Sequence, residues 1–243
     1  MRNVIVTGAS RGLGLAISRR LVRDGFCVLG VARRMTPELE AAQSEAVAAG
    51  SRIEFLPFDL SKTGEIRAFV TAARRQHGKV FGLVNNAGLG TDGLLATMAD
   101  GKIEELLRLN VQAPILLTKN VVRYMMADGE GRVVNVSSII GFTGYSGLSV
   151  YAATKSAMLG FTRSLAREVG RVNVTVNAVA PGFISTEMTS ALDDDGRDQI
   201  ARRAALKRLA EPDDVAAAVA YLMGDGGRNV TGTTLTVDAG AIA

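Results

Sequence analysis

The chain has 243 residues and a mass of 25.5 kDa, enough for one large domain with a full hydrophobic core. Apolar residues make up 47% and charged residues 21%, which excludes disordered, collagenous and coiled-coil chains. Twenty-eight Lys and Arg against 24 Asp and Glu leave a net charge of +4, which suits phosphate ligands without requiring a nucleic acid. The one cysteine, Cys27, and the one histidine, His77, exclude a disulfide framework and a Cys/His zinc cluster.

Met1-Arg2 leads directly into Asn3 to Thr7 with no apolar leader, so the expected location is cytoplasmic. Short Val/Ile/Leu-rich runs then alternate with stretches of helical period, the pattern of a parallel sheet covered on both faces. Strands are expected at Asn3 to Thr7, Cys27 to Val31, Ile53 to Pro57, Gly82 to Asn85, Arg132 to Ser137, Val174 to Val179 and Thr234 to Val237. Helices are expected at Gly12 to Asp24, Pro37 to Ala49, Thr63 to His77, Ile103 to Met126, Tyr151 to Val169 and Pro212 to Met223. Ser61 is a candidate cap for the third helix, and Pro212 suits a first helical turn. The longest uncharged stretch, Val133 to Thr154, is broken by serines, glycines and Asn135, so no membrane span is expected. No linker or repeat interrupts the chain. The expected fold is therefore a single-domain, doubly wound α/β fold over residues 1–243, Rossmann-type, with a seven-stranded parallel sheet flanked by helices.

The first strand runs into Thr7-Gly8-Ala9-Ser10-Arg11-Gly12-Leu13-Gly14 and then a helix, the order that a dinucleotide pyrophosphate requires. Glycines let the backbone approach the phosphates, and the helix-start amides donate to them. Gly8 to Gly12 also has the spacing of a hydrolase nucleophile elbow, but that chemistry needs a later histidine. His77 ends a polar helix and reads as a solvated residue. No carboxylate stands between Asp24 and Glu38, where NAD sites hold the ribose 2′-hydroxyl. Arg33 and Arg34, with Arg11, suit a 2′-phosphate instead, so NADP(H) is the expected cofactor. Asp59-Leu60 after the third strand is a candidate adenine contact, and Asn85-Asn86-Ala87-Gly88 follows the fourth.

Ser137-Ser138 ends the fifth strand, and Tyr151 and Lys155 follow at i and i+4, on one helix face. Strand alternation points Ser137 and Ser138 to opposite faces. With the Gly-rich turn, Asn-Asn-Ala-Gly at 85–88 and Pro181-Gly182 all in order, the chain resembles the short-chain dehydrogenase/reductase family over its whole length. The resemblance points most towards its 3-oxoacyl-acyl-carrier-protein reductases. It implies Tyr151 as general acid, Lys155 as its activator and ribose anchor, Ser138 as carbonyl polariser and Asn110 as holder of a relay water. Free tyrosine, near 10, is poorly matched to proton transfer at neutrality, and the Lys155 ammonium, the Ser138 hydrogen bond and cofactor charge are together expected to favour the phenolate by about 4 kcal/mol. No metal is required.

The resemblance further implies that Pro181, Gly182, Ile184 and Thr186 cover the nicotinamide, within a lid over residues 183–207. Phe142, Met188 and Leu192 are candidate substrate contacts, while Asp193 to Asp195 reads as a solvated charge run. Carrier-protein reductases present basic residues before the fifth strand, where this chain has Ala127-Asp128-Gly129-Glu130-Gly131. Arg202, Arg203, Lys207 and Arg208, or Arg167 and Arg171, are candidate replacements. A homotetramer is implied through the helices after the fourth and fifth strands, with Leu106, Leu109, Val121 and Tyr124 as apolar contacts. The expected activity is NADPH-dependent reduction of a ketone, foremost a 3-oxoacyl thioester on a small molecule or an acyl carrier protein. The rivals are reduction of a free ketone, sugar or secondary metabolite, and a non-catalytic NADPH-binding regulator.

Overall fold

The computed structural model describes residues 1–184 and 194–243. Seven strands form one parallel sheet: β1 Asn3–Thr7, β2 Cys27–Ala32, β3 Ile53–Pro57, β4 Val80–Asn85, β5 Gly131–Val136, β6 Val174–Pro181 and β7 Thr234–Val237. Their order across the sheet is β3-β2-β1-β4-β5-β6-β7. Every residue of β1, β2, β4, β5 and β6 is buried. That explains why these strands read as continuous apolar runs rather than alternating ones.

Helices α1 Gly12–Arg23, α2 Pro37–Ala48 and α8 Pro212–Met223 pack on one face of the sheet. Helices α3 Ile66–His77, α5 Ala113–Asp128 and α6 Ser149–Val169 pack on the other. Two separate cores result, one around Val4, Val6, Leu21 and Val219, the other around Ile5, Leu83, Leu117 and Val176. The chain winds outward from β1 through β3, then returns to add β4 on the other side of β1. The winding therefore reverses between β1 and β4, and a crevice opens there at the carboxyl edge of the strands, where such sheets bind ligands.

The helix expected over Ile103 to Met126 is divided into α4 Asp100–Leu107, a π turn at Arg108–Gln112, and α5. At the π turn the Ala113 amide bonds the Arg108 carbonyl, five residues back. Such a turn adds one residue without altering composition, so the apolar run does not mark it. Ser61 does not cap α3: a short 3₁₀ turn at Thr63–Glu65 precedes the helix, and the Ser61 amide instead donates to Asp59 Oδ1 at 2.9 Å. Pro212 does open α8, inside a reciprocal Glu211/Asp214 capping box. Part of the segment expected to form the lid is α7 Asp194–Arg203. His77 closes α3, but its Nε2 is buried rather than solvated. Leu106 and Val121, expected at a subunit interface, are each 1% exposed inside the protomer's own core, so they cannot meet another chain. No helix among the described residues is long and apolar enough to cross a membrane.

Candidate active site

At the switch point Thr7 joins the two halves of the sheet. Its Oγ1 donates to the Val84 carbonyl at 3.2 Å and accepts from the Asn86 and Ala87 amides, each at 2.9 Å. Asn86 Nδ2 returns a bond to the Thr7 carbonyl at 2.9 Å. The turn after β1 is thereby fixed against the turn after β4, a role no local pattern assigns to Thr7.

Gly8 and Gly12 have φ of +69° and +53°, the left-handed region that favours glycine. A Cβ on Gly14 would lie 2.1 Å from the Gly8 carbonyl oxygen, so helix and turn approach too closely for any side chain. Arg11, the extended N-cap of α1, makes no side-chain cap bond, and α1 has no acidic residue in its first turn. The first amides of the helix have no intrahelical acceptor, and the space beside Gly12 is open for 4 Å. This is a cradle that fits a pyrophosphate. Thr36 holds its outer wall: its Oγ1 donates to the Ser10 carbonyl at 2.6 Å and caps α2 by accepting from the Leu39 amide. Arg33 and Arg34 stand exposed between β2 and Thr36, beside the turn, and Arg11 is also exposed. Asp59 follows β3 next to β2, and its carboxyl is held below the usual range by hydrogen bonds from Ser61, with Arg33 adding a smaller effect. Leu60 beside it is buried.

On the other side of the crevice, Ser137 and Ser138 part as strand alternation requires. Ser137 Oγ donates to the Lys155 carbonyl at 2.9 Å, which ties β5 to α6. Ser138 Oγ accepts from the Ile140 amide at 3.2 Å and lies near enough to the Tyr151 hydroxyl to act on its titration. Lys155 is 7% exposed; its Nζ donates to the Val136 carbonyl at 3.0 Å and lies 5.6 Å from the centroid of the Tyr151 ring. Burial lowers the Lys155 ammonium to about 8, so it remains mostly charged at neutral pH. A Cβ on Gly88 would come within 3.7 Å of that Nζ, which brings the end of β4 to the same point.

One expectation changes here, and Asn110 gains a positioning role. Burial pushes the Tyr151 phenol up, and the Ser138 hydrogen bond only partly opposes it. The Lys155 ammonium was expected to lower it, but that group is turned to the Val136 carbonyl, so desolvation decides. Asn110, on the π turn, has its side chain committed to protein. Its Oδ1 accepts from the Leu89 amide at 2.8 Å, and its Nδ2 donates to the Leu89 carbonyl at 2.8 Å and to Thr154 Oγ1 at 3.2 Å. Thr154 Oγ1 in turn donates to the Tyr151 carbonyl at 2.7 Å. Both amide protons are used, so the side chain positions the loop after β4 and the start of α6.

A buried ladder lies beneath, also illegible from spacing: Asn85 Nδ2 donates to Thr118 Oγ1 and to Asn135 Oδ1, both at 2.8 Å. Asn135 Nδ2 donates to Thr162 Oγ1 at 2.9 Å. It locks α5 and α6 onto β4 and β5. Pro181 ends β6, and Gly182 passes so close to Asp238 that a Cβ would lie 2.7 Å from the Asp238 Cβ. Ile184 is buried and pairs with Ala210, while Phe142 is 46% exposed at the mouth. Thr186, Met188 and Leu192 lie outside the described residues.

The family model for short chain dehydrogenases matches residues 2–197. The chain is 39% identical over 236 residues to 3-oxoacyl-acyl-carrier-protein reductase FabG of Escherichia coli (strain K12), covering 97% of this chain and 95% of that protein. It is 38% identical over 239 residues to nodulation protein G of Rhizobium sp. (strain N33), covering 98% and 96%. Among solved structures, a blue fluorescent protein from a metagenomic library in complex with NADPH superimposes with a TM-score of 0.93 at 36% identity, covering 100% of this chain and 98% of that one. A short chain dehydrogenase from Burkholderia cenocepacia J2315 in complex with NADP gives 0.91 at 34%, with the same coverage. By its fold, its switch-point crevice and these relatives, the chain belongs to the short-chain dehydrogenase/reductase family and is a nicotinamide-nucleotide-dependent oxidoreductase.

Proposed function

We propose that the chain reduces a 3-oxoacyl thioester to the 3-hydroxyacyl thioester with NADPH. The observation that carries this reading is the neighbouring Ser138–Tyr151 pair with the Lys155 ammonium buried beside it. The Gly8 to Gly14 turn would hold the pyrophosphate, Arg33 and Arg34 with Arg11 the 2′-phosphate, Asp59 and Leu60 the adenine, and Asn86, Ala87, Gly88 and Lys155 the nicotinamide riboside. Bound there, NADPH supplies the hydride that the substrate's carbonyl carbon accepts.

The residues of this chain supply the proton and the field. The raised phenol keeps Tyr151 protonated at neutral pH, the state required of a proton donor. Its hydroxyl passes the proton to the carbonyl oxygen as negative charge develops there, and the Ser138 hydroxyl donates a hydrogen bond to the same oxygen. The negative charge left on Tyr151 is stabilised by the nearby Lys155 ammonium, because the single Ser138 proton is on the substrate oxygen. Lys155 has one proton on the Val136 carbonyl, which leaves two for the ribose. Asn110, through Leu89 and Thr154, keeps these groups in register.

The acidic segment before β5 does not oppose an acidic carrier. Asp128 is held by Arg74 in a bidentate pair at 2.6 and 2.9 Å, with Lys79 at 4.0 Å, and Glu130 faces Arg2 at 3.5 Å. The reading includes one domain over residues 1–243, a cytoplasmic location and a homotetramer, the last tested by light scattering on the purified protein. The decisive experiment is steady-state NADPH oxidation with an acetoacetyl thioester, comparing wild type with Tyr151→Phe. Loss of the acid is expected to lower kcat by about 10² to 10⁴-fold. Undiminished turnover in the variant overturns the acid. An inactive wild type whose Tm still rises with NADPH overturns the thioester and leaves the cofactor site standing.

A further inference from the structure

The two hydroxyls of the reaction centre sit on separate elements. Ser138 caps the 3₁₀ turn Ile139–Gly141 that follows β5, while Tyr151 lies in the first turn of α6, with Lys155 one turn further on. Their spacing is therefore set by whatever fixes the turn against the helix.

Two serines do this reciprocally, each next in sequence to a residue of the centre. Ser137, 3% exposed, donates from Oγ to the Lys155 carbonyl at 2.9 Å. Ser156 donates from Oγ in the opposite direction, to the Gly141 carbonyl. The Lys155 carbonyl lies inside α6, where the helical ladder already supplies it with a donor. A buried strand-end hydroxyl directed at an acceptor that is already satisfied contributes position more than stability. Gly141 lies between the two bonds. A Cβ there would come 3.2 Å from the Lys155 backbone carbon, 3.2 Å from Ser137 Oγ and 3.3 Å from Leu159 Cδ1, so turn and helix meet backbone to backbone. The turn itself is stiff: the Gly141 amide bonds the Ser138 carbonyl at 2.9 Å, and the Thr143 amide and Oγ1 both bond the Ile139 carbonyl at 3.0 Å. A shift at Gly141 is thus carried back to Ser138.

We propose that Ser137 and Ser156, with Gly141 between them, are positioning residues of the reduction: their reciprocal bonds set the distance between the Ser138 and Tyr151 hydroxyls, so that both reach one carbonyl oxygen. The proposal rests on the reading of Ser138 and Tyr151 as the reacting pair and is independent of the thioester. The Asn110–Thr154 chain anchors the same helix turn to the loop after β4 instead. Reacting atoms meet at about 3 Å, and a misplacement of about 1 Å costs about 100-fold in rate. Loss of one bond, with the other still holding the contact, moves the pair by a fraction of that and is expected to lower kcat about 3- to 10-fold.

The test compares Ser137→Ala, Ser156→Ala, Gly141→Ala and the double serine variant in NADPH-dependent reduction of an acetoacetyl thioester, in the wild-type and in the Tyr151→Phe background. The double variant is expected to lose about 100-fold in kcat, with KM for NADPH within about twofold of wild type. Ser156→Thr, which keeps the hydroxyl, restores the rate. In the Tyr151→Phe background the same substitutions are expected to change the residual rate by less than about twofold, because the pair they space is already gone; a merely structural role would lower both backgrounds alike. Titration of the Tyr151 phenol, read as the tyrosinate absorbance each protein has in excess of its Tyr151→Phe counterpart, needs no substrate. Ser138 lowers that phenol, so both serine variants are expected to raise it, as Ser138→Ala does, and to add nothing to Ser138→Ala. A loss of rate that persists undiminished in the Tyr151→Phe background overturns the proposal. Full turnover by Tyr151→Phe overturns the acid reading and the proposal with it, whereas loss there with unchanged rates in the serine variants overturns the proposal alone. Where the wild type reduces no acetoacetyl thioester, the titration decides: a phenol that the serine variants leave in place overturns the spacing role, and one that they raise supports it without the thioester.

Discussion

Lys155→Met makes the cost of the reaction centre measurable as stability. The ammonium is 7% exposed and held at about 8, against an ordinary 10.5. Below pH 8 both native and unfolded chains carry the proton, and the native state bears the full cost of burying the charge. Between 8 and 10.5 the native state has released the proton while the unfolded chain keeps it, so the unfolded state binds more protons and stability rises with pH. Above 10.5 the cost is gone. The separation corresponds to about 3 kcal/mol at pH 7, of which about 2 kcal/mol is recovered by pH 10. Methionine fills a similar volume without the charge but forfeits the bond to the Val136 carbonyl, about 1 kcal/mol. The variant is therefore expected to be more stable than wild type at pH 7 by about 2 kcal/mol, a rise in Tm of roughly 4–8 °C for a chain of this size. By pH 10 the advantage should vanish. Tyr151, pushed above its usual 10, contributes only at higher pH and stays outside this window. Urea unfolding of both proteins at pH 7, 8.5 and 10 provides the assay. Parallel profiles for wild type and variant would refute the claim that a buried, destabilising ammonium is kept here for chemistry.

Asn110→Ala removes three hydrogen bonds from a site only 3% exposed and leaves the Leu89 amide without an acceptor, so about 3 kcal/mol should be lost and Tm should fall by roughly 6–12 °C. A change under about 2 °C by calorimetry would contradict the positioning role. Arg33→Asp replaces a donor with a charge that repels a 2′-phosphate, and the NADPH over NADH ratio of kcat/KM is expected to fall by about 10 to 100-fold. An unchanged ratio would remove Arg33 from the cofactor site.

The sheet was legible because its signal is local. Runs such as Val4-Ile5-Val6 and Val174-Thr175-Val176 are buried on both faces, and each strand predicted from them is present within three residues at either end. The Gly8 to Gly14 turn was legible for the same reason, since Gly14 must accept the Gly8 carbonyl against its Cα wherever the strand runs into the helix. What could not be read depends on partners far away in the chain. Thr7 bridges to Asn86, 79 residues on, and Asn85 reaches Asn135, 50 residues on. The π turn at Arg108–Gln112 shifts helical phase by one residue without altering composition, and it is what turns the Asn110 side chain towards Leu89 and Thr154. The direction of the Tyr151 shift was misjudged because the Tyr–Lys spacing shows a charge nearby but not the carbonyl to which that charge is bound.

The segment Ala127 to Gly131 shows how a local reading of charge fails. Asp128 and Glu130 look like an acidic patch in a row of small residues, and on that basis they argue against an acidic carrier. In the folded protein Asp128 has a side chain only 10% exposed, with the Arg74 guanidinium of α3 across it and the Tyr124 ring under that guanidinium at 4.6 Å. That pairing draws the Asp128 carboxyl below, and the Arg74 guanidinium above, their usual ranges, each through the other's hydrogen bond first. Glu130 meets Arg2 from the start of the chain. The field at this edge is thus set by cations 54 and 128 positions earlier, and close to neutrality is the result. After α7 the cations are left more open. Of Arg202, Arg203, Lys207 and Arg208, all exposed, only Arg202 comes within 4.0 Å of a carboxylate, that of Asp198, among the described residues.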